Sequence, residues 1–98
     1  MKADRIAEIG IDQEGSLFIR PAEQSFPFIY RAGREIGWDS ITRRLFCPRP
    51  NQRSYRDWFR QLLAAVADEY GVSLEIDSAT AWSGMAEADR QQIEAEQV

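Results

Sequence analysis

The chain has no histidine, a single cysteine, a single lysine and no long apolar run in its 98 residues. Without histidine it lacks the commonest general base and the commonest metal ligand. Ser–His and Cys–His nucleophile pairs cannot form within it. Cys47 has no partner for an internal disulfide, which makes a reducing cytoplasm the expected location. A structural zinc site would need several cysteines and histidines. A membrane helix needs about 18 consecutive apolar residues, and none are present. The opening MKADRIAEIG puts Asp4 and Glu8 where a signal peptide would be apolar. No catalytic motif stands out, so the expectation is no catalytic residue, no metal and no cofactor. An enzyme working with carboxylates alone would require two acids converging in one pocket.

The chain does have the composition of an ordinary folded domain, 44% hydrophobic and 29% charged. That length supports one core, so residues 1–98 are read as a single domain. Its organising stretch is Ser54 to Gly71. Ser54 and Asp57 have capping-box spacing, with Asn51 an alternative cap, and Asp57 suits the positive end of the helix dipole. Gly71 can take the left-handed conformation that ends helices. Tyr55, Phe59, Leu62 and Val66 fall on one stripe at helical period, flanked by Trp58 and Leu63. Burying those four stripe side chains is worth on the order of 6–12 kcal/mol before entropy is counted.

Strands are predicted on both sides of this helix. Residues 5–12 place Ala7, Ile9 and Ile11 on one face, and 17–20 return to Pro21 as a hairpin. In 28–38, Tyr30, Ala32, Ile36 and Trp38 share a parity, with Gly33 and Gly37 on the other where a bulge would fit. Arg43 to Cys47 is the partner strand of a second, long hairpin. Val72 to Asp77 alternates cleanly, whereas 78–84 reads as irregular with Trp82 as its anchor. A weak helix from Met85 to about Glu96, capped by Ser83, is expected to fray or lie on the surface. The order ββββαβα predicts an α+β two-layer sandwich, a mainly antiparallel sheet packed on one central helix.

Two features bear on function. Between residues 31 and 60, eight arginines face three acids, a net of +5, while the rest of the chain carries −9. Arg31, Arg34, Arg43 and Arg44 beside Trp38 are therefore candidate anion- or partner-binding residues. The arginines fall on both strand parities, however, and a pI near 4.8 argues against a generic polyanion binder. Eleven aromatic residues also exceed what one helix-on-sheet core must bury, and aromatics with arginine mark protein interfaces. Free Cys47, before Pro48, reads as a buried small hydrophobe, and Glu69 as a solvated acid at the helix rim. A protein-interaction or accessory module follows, associating with itself as a homodimer or with another protein through the sheet face or the edge of the second hairpin. The alternative is a binder of an anionic small molecule or nucleic acid through the arginine-rich middle.

The block IYRAGREIGWD followed by SYRDWFRQLLAAVADEYGVSL resembles small bacterial α+β proteins carried on mobile integron gene cassettes. The resemblance covers about half of the chain. It implies a bacterial, cytoplasmic accessory or binding factor. It brings no catalytic residues to carry over.

Overall fold

The computed structural model describes residues 2–32, 35–49 and 54–97. The elements run β1 (Lys2–Ile11), β2 (Leu17–Pro21), a 3-10 turn (Ile29–Arg31), β3 (Gly37–Asp39), β4 (Arg44–Cys47), α1 (Tyr55–Tyr70), β5 (Val72–Glu75), β6 (Ala81–Ser83) and α2 (Glu87–Ala95). The fold is α+β. One sheet has the strand order β3-β4-β2-β1-β5, with β6 also on β1. The β1–β2, β2–β4 and β3–β4 pairings are antiparallel, while β5 and β6 join β1 in parallel.

Helix α1 forms where its local signals place it. The Ser54 hydroxyl accepts from the Asp57 N–H at 3.1 Å, and Gly71 closes the helix with φ +66°. Phe59, Leu62 and Val66 are fully buried, joined by Trp58 and Ala65. Tyr55 is half-buried, and its hydroxyl donates to the Gly15 carbonyl at 2.8 Å, tying the helix start to the β1–β2 turn. The alternative cap at Asn51 lies outside the described residues.

Beneath the helix, the sheet presents the row Trp38–Leu45–Ile19–Ile9–Trp82. Its three aliphatic members are fully buried, and the two half-buried tryptophans close its ends. Trp38 meets Phe26 edge-on at 5.8 Å, and the Arg90 guanidinium lies 4.9 Å over Trp82.

β1 is irregular at one point on both flanks. A bulge between Ile6 and Glu8 shifts its register on β2, so that Ile6 and Ile9, not Ala7 and Ile9, face the core. On the other flank β5 ends at Glu75, two residues earlier than the alternation suggests, and residues 76–80 loop out before β6 resumes the pairing. Inside that gap the Thr80 hydroxyl donates to the Ile6 carbonyl at 2.7 Å. The loop is fixed by Arg5, whose Nε and Nη2 reach the two Asp77 oxygens at 2.7 and 3.2 Å. That fork holds the Asp77 carboxyl down at about 2.

Three expectations are corrected. Residues 28–38 do not form one long strand: Ile29–Arg31 is a 3-10 turn, and among the described residues of the span the strand is confined to its end, at Gly37–Asp39. Ile29 turns inward while Tyr30 points out, and the Tyr70 hydroxyl takes the Phe28 N–H at 2.7 Å, a bond no strand ladder would leave free. The bulge expected at Gly33 lies outside the described residues. Second, β6 adds a strand, and the order becomes ββββαββα. Third, α2 is docked rather than frayed. Ile93 is fully buried, Glu96 is paired with Arg56 and Arg60, and Gln97 binds the β5 edge. Ser83 does not cap α2, because its hydroxyl is committed to Glu8.

Candidate functional site

Both helices leave the opposite face of the sheet open, and the pairing register decides what stands there. Gly10 pairs with Phe18, Phe18 with Phe46, and Phe46 with Gly37, so two phenylalanines lie between two glycines. A Cβ at Gly10 would meet the Phe18 ring and the Ser83 carbonyl, and one at Gly37 would meet the Phe46 ring. The glycines are the floor on which the rings rest. Phe18 is covered, but Phe46 stays 40% exposed.

The neighbouring row is ionic. Glu8 pairs with Arg20, and Asp39 with Arg44. Glu8 Oε1 lies 3.5 Å from Arg20 Nε and 3.5 Å from Arg44 Nη2, while its Oε2 accepts from the Ser83 hydroxyl at 2.7 Å. The Ser83 bond foremost, with the Arg44 and Arg20 charges behind it, holds the Glu8 carboxyl below its ordinary range. The Arg44 guanidinium lies 4.0 Å over the Phe18 ring, and its buried Nε finds no acceptor among the described residues. Ring stacking therefore places this arginine as much as hydrogen bonding does. Asp39 accepts from the Ile41 and Thr42 N–H groups at 2.9 and 3.3 Å, which keep its carboxyl low.

Between these rows lies a depression of about 240 Å³, lined by Asp12, Phe18, Asp39, Thr42, Arg44 and Phe46. Sites for small molecules span roughly 300–1,000 Å³. This one is sized for a side chain. Ile41, 92% exposed, sits on the β3–β4 turn that borders it. Glu8, Asp39 and Asp12 outnumber Arg20 and Arg44 by one, so the face carries little net charge and does not form an anion cradle.

The arginines singled out in the sequence are dispersed. Arg31 stacks 4.7 Å over Phe28 and comes within 4.0 Å of Glu69, the helix-rim acid. Arg34 lies outside the described residues. Arg43 adopts φ +58°, and its Nη2 donates to the Glu23 and Gln24 carbonyls at 3.0 Å each, pinning the connection after β2. The buried Asp4 holds that same connection from its other side, through the N–H groups of Glu23 and Gln24. Of these arginines, among the described residues only Arg44 reaches the open face, and Trp38 is on the opposite one. The partners that matter there, Glu8, Arg20 and Phe18, were not singled out. The hairpin register alone could have paired the first two. Burial pushes the Cys47 thiol up to about 12, with Glu35 adding to it, so it carries no activated sulfur. Among the described residues, no three metal-ligating side chains gather, and no helix is long and apolar enough to cross a membrane.

Comparison with known proteins gives two findings. The family model described as Integron Cassette Protein Hfx_Cass5 matches residues 4–80. A solved structure of Integron Cassette Protein Hfx_Cass5, from the mobile metagenome of North West Arm Sewage Outfall, is 37% identical. The alignment covers 97% of this chain and 95% of that one, with a TM-score of 0.50. None of the curated proteins matches.

Proposed function

The chain belongs to the Hfx_Cass5 family of integron cassette proteins, and from that premise we propose that it is a non-catalytic, cytoplasmic interaction module that associates with itself through the open face of its sheet. The observation that carries this reading is the half-exposed Phe46 over a side-chain-sized depression, beside the nearly fully exposed Ile41. Anchor residues of protein interfaces are aromatic or aliphatic groups entering small pockets, surrounded by arginine and polar rim groups. The near neutrality of the face suits a second copy of the same surface, because neither sign of charge accumulates against itself. The arginines support an anion site less well: Arg31, Arg43 and Arg44 each have an internal partner and stand apart from one another.

Sedimentation of the wild type over a wide concentration range tests this, with Phe46→Ser and Ile41→Asp alongside. The expected result is a dimer whose dissociation constant rises at least about tenfold in either variant, the scale of one lost anchor. Far-UV circular dichroism should be unchanged. A wild type that stays at monomer mass throughout would overturn the reading.

A further inference from the structure

β5 is the lateral edge of the sheet on the side away from β3. Its alternate residues face opposite ways. Lys2 N–H donates to the Gly71 carbonyl, so the odd-numbered residues of β5 turn to β1 while Val72 and Leu74 turn their peptide groups outward, as does the N–H of Ile76 just past the strand. That edge is occupied by a side chain. Gln97 Nε2 donates to the Leu74 carbonyl at 2.9 Å, and its Oε1 accepts from the Ile76 N–H at 2.6 Å. One carboxamide thus does what one residue of a neighbouring parallel strand does in a ladder. Gln97 is exposed and lies just past α2, which stays anchored through Ile93 and through Glu96 on Arg56. A polar depression of about 370 Å³, lined by Ser73, Glu75, Ile76, Glu96 and Gln97, lies beside the contact. Gln97 can swing away without uncovering the core.

We infer that the β5 edge is a second self-association surface, held shut by Gln97, whose occupant on release is β5 of another copy. The two states exclude each other, because both use the Leu74 carbonyl and the Ile76 N–H. An antiparallel pairing about a two-fold axis at Leu74 brings all the outward groups into register. Leu74 exchanges both bonds with Leu74 of the second copy, and Val72 meets Ile76. Glu75 then stands opposite Ser73 of the second copy, whereas a two-fold axis at Glu75 would oppose two carboxylates. An unguarded strand edge is a ready template for such pairing. This inference does not depend on the open-face contact and uses none of its residues.

The test compares the mass of the wild type, by sedimentation, with that of Gln97→Ala, and of Gln97→Ala carrying Ser73→Glu or Ser73→Lys. Hydrogen exchange at the Ile76 amide is read in parallel. Gln97→Ala should form a particle of twice the wild-type mass as concentration rises. Its Ile76 amide should exchange faster than wild type when dilute and slower once associated. Ser73→Glu faces Glu75 twice by symmetry and should weaken the association roughly two- to thirtyfold, while Ser73→Lys should strengthen it. A Gln97→Ala protein with the wild-type mass at every concentration would overturn the inference. So would Glu and Lys variants that behave alike. Because each variant is compared with its own parent, a monomeric wild type would sink the open-face reading and leave this test intact.

Discussion

The sheet's two faces are built from the same strands and differ in what limits them. On the helix side, Ile9, Ile19 and Leu45 are fully buried against a layer that includes Phe59 and Leu62. On the other side, Phe18 and Phe46 rest on glycine, and Glu8 ties two arginines that remain partly exposed. The first face is governed by volume, since any atom removed leaves a hole. The second is governed by close approach and by charge, since neither helix packs over it. A core position therefore answers to lost volume, and an open-face position to added atoms and altered charge.

Four substitutions would break or sharpen that contrast, and all can be read from denaturant unfolding. Leu62→Ala should have the largest effect, about 2–5 kcal/mol, through the lost burial and the cavity left under α1. Gly10→Ala should cost about 1–3 kcal/mol, because its Cβ meets the Ser83 backbone carbonyl, which cannot move independently of β6. Gly37→Ala should cost less, since only the half-exposed Phe46 ring must swing. Equal losses at the two glycines would show that the open face is packed as tightly as the core. The smallest effect belongs to Glu8→Gln, about 1 kcal/mol near neutral pH, because the amide keeps a bond to Ser83 but loses both ion pairs. Its sign with pH is fixed. The folded-state pKa of Glu8 is depressed, so its contribution is complete above the ordinary glutamate value. That contribution is lost as pH falls through the folded value. The gap between wild type and Glu8→Gln should therefore close on acidification. A gap that widened would place the stabilisation elsewhere.

Legibility in the sequence followed the range of the interactions. α1 could be read almost residue by residue, because its cap, its stripe and its terminal glycine lie within one 18-residue window. Residues 72–75 were equally clear from local alternation. The segment 28–36 reads as a strand because Tyr30 and Ala32 share a parity with Ile36, while the decisive bond comes from Tyr70, on another element. β6 was hidden for a related reason. Three residues carry no period, and Ala81–Ser83 is extended only because β1 is long enough to offer it a second berth. The open face was legible in its composition but not in its membership. Glu8 and Arg44 lie on strands that never touch, and only the intervening β2 brings their side chains together.

β1 is first in the chain and central in the sheet, and its later neighbours begin at residue 72. During synthesis its flank toward β5 and β6 must wait for some seventy further residues, roughly 4–14 s at ordinary elongation rates. Until then β2 protects one side only, and the other is an unpaired edge in a crowded cell. Pairings this distant in sequence also slow the final closure of the sheet. For this chain the hazardous interval falls early in its life, before α1 and β5 have left the ribosome.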